Sequence, residues 1–234
     1  MEESTLLFDT GKGNKRRVIN ISDIARSYSE EYRSSLLGLH AFCGCDTTSA
    51  FKGKGHVGPI KLVKKYPKFM RPLALLGNEW SVPTCLVDEL EELTCAIYGQ
   101  SRFSSVDELR LQKFKEKCGS QSADASRNID LALLPPCKKA LVQHIKRVNY
   151  QVAIWKRAHE AEPDIPHPCD HGWVEEDGTL EPLWFRREEL VPEELTEILI
   201  DSIDAEALVD NEEHEDDVSD DDNDEIVSEE SDDE

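Results

Sequence analysis

The sequence predicts a mainly α protein with a few short strands and an acidic tail that does not fold. Three observations carry this reading. Between Ser22 and Glu160 apolar residues recur at helical spacing in one window after another. Strand-like pieces are confined to two short pairs, each flanking turn-forming residues. Residues 201–234 hold 19 Asp or Glu and no Lys or Arg, a composition that buries too little apolar surface to order itself.

Taken in order, Leu6-Leu7-Phe8 and Val18-Ile19 flank a loop with Gly11, Gly13 and Asn14, which predicts two short strands joined by a basic loop. From Ser22 the period lengthens. Ile24, Ala25, Tyr28, Tyr32, Leu36, Leu37, Leu39 and His40 predict a short helix and then a longer one over 29–43, stopped at Gly44-Cys45-Asp46. Pro59 sits near the start of a further short helix carrying Ile60, Leu62, Val63 and Tyr66, which ends before Pro67. Residues 82–98 gather Leu86, Val87, Leu90, Leu93 and Ile97 on one face and stop at Gly99. Ser105 and Glu108 form a capping-box pattern for a helix over 106–118. Over 137–160, Leu141, Ile145, Val148, Val152 and Trp155 form a buried stripe on a basic helix. A proline-rich connector, 161–168, leads to Trp173-Val174 and Leu180–Trp184 around Asp177-Gly178, a hairpin signal. Pro192, with Glu193 and Glu194, opens a last short helix.

The charge is segregated. The chain carries 27 Lys or Arg and 49 Asp or Glu, a net of −22; without the tail, residues 1–200 hold 27 basic and 30 acidic side chains, a net of −3. The overall acidity therefore describes the tail, and does not exclude a nucleic-acid partner for the body. No apolar run approaches the length of a membrane span. MEESTLLFDT has neither the basic nor the apolar region of a secretory leader, and seven cysteines show no regular framework, so the expectation is an intracellular protein with reduced thiols, in the nucleus rather than the cytoplasm.

The stretch with chemistry runs from Gly44 to Arg71. Residues 52–71 contain seven Lys or Arg and no acid, and they open on Gly53 and Gly55. A glycine turn leading into a helix presents backbone N–H groups and the positive end of the helix dipole, which suit a phosphate. Lysines on the following helix extend that grip along a nucleic-acid backbone without reading bases. The expected contacts are Lys52, Gly53, Lys54, Gly55, Lys61, Lys64 and Lys65. Asp46 stands just ahead, either as a turn residue in Asp-Thr-Thr-Ser or as a ligand for Mg²⁺ beside the gripped strand.

On these residues the chain resembles the flap-endonuclease/XPG-type 5′ nucleases. Gly44 and Asp46 match their Gly-x-Asp pair, Lys52-Gly53-Lys54-Gly55 their glycine turn, and Leu62 and Val63 the helix behind it. The resemblance covers roughly residues 5–75. It implies the C-terminal part of a PIN-like α/β domain, ending in a helix–two-turn–helix. Thr47, Lys54 and His56 depart from the family pattern, and of the carboxylates that build its two-metal site only Asp46 has a counterpart. Over a longer span, roughly 5–190, the chain is similar to transposon-associated proteins of animal genomes. The carriers are His40–Phe51 with Gly53-Lys54-Gly55, LPPCKKALVQHIKRVNYQVAIWKRA, and the HGW and DG motifs. The implied organisation is a PIN-like part over 1–80, a helical extension with a hairpin over 81–190, and a short helix with the acidic tail over 191–234.

The resulting expectation is a DNA-backbone-binding remnant of a mobile-element-derived nuclease. It needs no cofactor alone, and would use Mg²⁺ only where a longer product restores the missing acids. The alternatives are an active structure-specific endonuclease with Asp46 as one ligand, and a protein-interaction module with no nucleic-acid role. The tail is either a solubilising appendage or a contact for basic proteins or for the chain's own basic segment; Ser219, Ser228 and Ser231 each precede acids and suit acidophilic kinases. Two further clusters invite a metal. Cys43-x-Cys45 with His40 is too tightly spaced for a structural zinc site. His167, Cys169 and His171 alternate in a loop and would reach one metal, or else form part of a packed connector.

Overall fold

The computed structural model describes residues 5–119 and 130–185 of the chain, all within one compact unit. The helix expected at Pro192 and the acidic tail lie outside the described residues. The fold is mainly helical with two small antiparallel sheets of two strands each. The first hairpin pairs β1 (Leu7–Thr10) with β2 (Arg17–Asn20), Phe8 opposite Ile19. Among the described residues these strands pair only with each other, so Leu7, Phe8 and Val18 stay more than half exposed. Then come α1 (Ile21–Arg26), capped by the Asn20 side chain, and α2 (Glu30–Phe42), capped by Ser29. Next are α3 (Val57–Lys65), α4 (Met70–Leu75), α5 (Thr84–Ile97), α6 (Val106–Gly119) and α7 (Lys138–Lys156). The chain then forms β3 (Trp173–Glu176) and β4 (Thr179–Pro182). Asp177 (φ 50°) and Gly178 (φ 75°) both take positive φ between these strands, as a two-residue hairpin loop requires.

One core runs through α2, α3, α4, α5 and α7 and is continuous across residue 80. Leu39, Phe42, Val63, Leu73, Leu76, Leu90, Leu93, Leu141, Ile145, Val148 and Val152 are all buried in it. Helix α4, which the sequence pattern did not announce, packs against α2 so closely that a Cβ on Gly38 would stand 2.1 Å from the Leu73 carbonyl oxygen. Pro72 is tolerated there because it occupies the first turn, where its missing N–H has no intrahelical partner to lose.

Polar side chains with buried ends join the helices. Glu91, 2% exposed, accepts the Val106 N–H that opens α6 (2.9 Å) and pairs with Lys138 Nζ (2.8 Å) at the start of α7. The capping box is half realised: Ser105 Oγ accepts the Glu108 N–H at 3.4 Å, and the main cap of α6 comes from Glu91. Helix α7 ends four residues earlier than its pattern predicts, in turns from Arg157 onward. Its stripe is buried as far as Val152; Trp155 is partly buried, packs against the core and stacks on His40. Arg147, on a helix read as basic outside, is 1% exposed. Its guanidinium donates to the carbonyls of Gly172 (2.8 Å) and Leu183 (2.7 Å), fastening both ends of the second hairpin to α7. No helix among the described residues is long and apolar enough to cross a membrane.

Candidate nucleic-acid interface

The site begins where α2 stops. Gly44 takes φ 107°, and a Cβ there would meet the Ala50 backbone at 2.7 Å, so this stop needs glycine. Cys45 and Thr48 then exchange backbone hydrogen bonds across a tight turn (3.1 and 3.3 Å). Thr48 Oγ1 donates to the Ala41 carbonyl (2.7 Å) and His144 Nε2 meets the Phe42 carbonyl (3.1 Å), so two of the last carbonyls of α2 are satisfied from outside the helix. Thr47 Oγ1 donates to Gln151 on α7 (2.6 Å). Asp46 stands exposed at the corner of this turn. The turn expected at Asp-Thr-Thr-Ser forms, and these side-chain hydrogen bonds come from Thr47 and Thr48 rather than Asp46.

Phe51 then plugs into the core against Phe42, Tyr98 and His144, and fixes the start of a second turn, residues 52–56. Gly53 (φ 75°) and Gly55 (φ 53°) shape it. Helix α3 follows with His56 at its N-cap and no side chain capping its first turn. Two turns therefore separate α2 from α3. Pro59 and Val63 face the core, while Lys61, Lys64 and Lys65 are exposed, spaced as neighbours on one helix surface.

The seven basic residues divide into two groups. Lys52 pairs with Asp130 (2.6 Å), Lys68 with Glu92, and Arg71 with Glu89 at 4.0 Å. These acids come from distant parts of the chain, beyond the reach of any reading confined to residues 52–71. The others pair with no described acid. Lys64 lies over the rings of Tyr28 (4.5 Å) and Tyr32 (5.0 Å) and donates to Tyr28 Oη, which raises its pKa. Lys65 lies over Tyr66 at 5.2 Å. Lys54 lies over Tyr98 at 4.5 Å; burial there, and then the charge of Lys113 on α6, push its pKa down. Lys113 is a basic neighbour of the site that the motif did not include.

Magnesium, which the nuclease resemblance implies, does not fit these side chains. A two-metal site needs several carboxylates, and among the described residues no group of three ligand-bearing side chains includes Asp46. His40, Cys43 and Cys45 do not converge either: His40 stacks between His56 and Trp155, and Cys43 is buried, its thiol pushed up to about 12. Compared with known proteins, the chain matches no family model, no curated protein and no solved structure.

Proposed function

We propose that this chain binds the phosphate backbone of DNA through α3 and the turn before it, as a nuclear, mobile-element-derived relative of 5′ nucleases that does not cleave by itself. The observation that carries the reading is the ridge of Lys61, Lys64 and Lys65, exposed and paired with no described acid, on a helix whose first turn has no capping side chain. Lys54 and Lys113 add charge at the preceding turn. Such a surface grips phosphates without reading sequence, because no side chain in it is placed as a bidentate base reader. Asp46, which joins no group of three ligand-bearing side chains among the described residues, leaves Mg²⁺-dependent cleavage to a longer product or a complex that supplies further acids. The acidic run 201–234 would compete with DNA for the same lysines.

The test is anisotropy of a labelled duplex with the full chain over a range of salt concentrations. Lys61→Gln, Lys64→Gln and Lys65→Gln together should weaken binding and reduce the magnitude of the log–log salt slope by roughly 2–3, about 0.9 for each phosphate that is no longer neutralised. Asp130→Asn, which releases Lys52, should move affinity and slope the other way. A triple variant with unchanged affinity and slope overturns the reading, and tighter binding to RNA than to DNA overturns the choice of partner.

A further inference from the structure

The connector after α7 carries a second, independent constellation. One imidazole nitrogen of His167, the Cys169 thiol sulfur and one carboxylate oxygen of Glu175 all lie within 4.8 Å of one another, with His167 Nε2 3.6 Å from Glu175 Oε2. We propose that these three side chains form a zinc site that clips the proline connector to the second hairpin. With Zn–N and Zn–O bonds near 2.0 Å and Zn–S near 2.3 Å, tetrahedral ligand atoms stand about 3.3–3.7 Å apart. The His–Glu pair already meets that spacing, and the thiol needs only a small approach.

The loop is held in place by contacts that leave the three ligands unused. Tyr150 Oη donates to the Pro166 carbonyl (2.9 Å), Arg147 donates to the Gly172 carbonyl (2.8 Å), and the His171 ring stacks on Tyr150 with centroids 4.9 Å apart. All three anchors reach back to α7. Prolines on both sides of His167 restrict its backbone, and Cys169 sits in the 3-10 turn Pro168–His171. That turn also explains why His171 is not a ligand. Residues two apart in a 3-10 helix project about 120° apart, so Cys169 faces the hairpin while His171 faces Tyr150 and Trp80. Glu175, six residues further on, takes the third position.

The donor set selects the ion. One thiolate, one carboxylate and one neutral imidazole sum to −2 and neutralise a dication. Nitrogen with sulfur suits Zn²⁺, whereas Mg²⁺ and Ca²⁺ want oxygen. On binding, Cys169 loses its proton to solvent and the sulfur lone pair enters the metal bond. Three protein ligands leave a fourth position for water, and His167 and Glu175 are exposed enough for the ion to enter directly.

Cobalt substitution tests this on the full chain. Co²⁺ added to chelator-treated protein should give one equivalent of a thiolate-to-cobalt charge-transfer band, which Zn²⁺ then abolishes. Cys169→Ser should remove the band, and His167→Gln or Glu175→Gln should each weaken Zn²⁺ competition by about tenfold or more. Cys85→Ser and Cys137→Ser should leave it intact. Circular dichroism confirms that each variant stays folded, as expected for side chains at the surface. Carboxylates of the acidic tail give no thiolate band. No band at excess Co²⁺, or a band that survives Cys169→Ser, overturns the site.

Discussion

His144 makes the stability of this fold depend on pH in a direction and size that its surroundings set. Its ring is buried among Phe42 and Phe51 and 6% exposed, and its Nε2 lies 3.1 Å from the Phe42 carbonyl. A carbonyl only accepts, so Nε2 carries the proton and the buried Nδ1, which has no hydrogen-bond partner, is bare. Protonating Nδ1 would put a charge where nothing receives it. Burial, opposed by the Phe42 hydrogen bond and reinforced by Arg147, pushes the pKa down from 6.5 to about 4. A histidine with a folded pKa below its unfolded one binds its proton more readily in the unfolded chain. Its contribution is therefore complete above pH 6.5 and is lost as pH falls towards 4. That displacement corresponds to about 3 kcal/mol in all, of which about 2 kcal/mol is gone between pH 7 and pH 5. The assay is urea denaturation at a series of pH values for the parent and for His144→Gln, whose amide still donates to the carbonyl and does not titrate. The parent should lose about 2 kcal/mol more than the variant between pH 7 and pH 5. Equal losses would refute the assignment, because the remaining titrating groups are common to both proteins.

Two other positions give sharp outcomes. Asn149 accepts the Gly77 N–H (2.7 Å) and donates to the carbonyls of Glu79 (2.9 Å) and Trp80 (3.0 Å), so Asn149→Ala should cost about 3 kcal/mol and lower Tm by roughly 6–12 °C in a thermal melt. Gly44→Ala should destabilise by about 1–3 kcal/mol in urea, since it forces a side chain into positive φ and against Ala50; a loss under about 0.5 kcal/mol would mean that the turn relaxes freely.

What the sequence revealed follows the range of the interaction behind each element. The stop of α2 at Gly44, the Asp177-Gly178 hairpin and the stripe Leu141–Val152 depend on neighbours a few residues apart, and all three stand as predicted. Helix α4 did not announce itself, because Pro72 reads as a breaker unless its place in the first turn is known, and that place is set by packing on α2. At the candidate interface the run of lysines was plain, but its electrostatics were not. Asp130 stands 78 residues from Lys52, and Tyr28, which holds Lys64, stands 36 residues away. The sequence could offer the lysines only as a set; distant partners divide them into those matched by acids and those left available. The same holds for the cluster beside the hairpin: alternation offers His167, Cys169 and His171 as a group, whereas the fold brings His167 and Cys169 together with Glu175, because the rotation of a 3-10 turn leaves no mark in spacing.

The polar residues of α7 tie these local features together. By composition they make a basic, solvent-facing helix, yet His144, Arg147 and Asn149 are buried, and each serves a different loop. His144 closes the end of α2, Asn149 holds the Gly77 turn, Arg147 fastens the second hairpin, and Gln151 receives Thr47 from the turn that carries Asp46. Loops carry unpaired backbone groups that the helical core cannot satisfy by apolar contact, so the helix at its centre supplies the donors and acceptors. One physical consequence is that α7 anchors both the turn after α2, which leads towards the lysine ridge, and the loop that carries the cluster beside the hairpin. A substitution that loosens α7 should therefore disturb DNA binding and metal binding together, whereas Lys61→Gln or Cys169→Ser should affect only its own site.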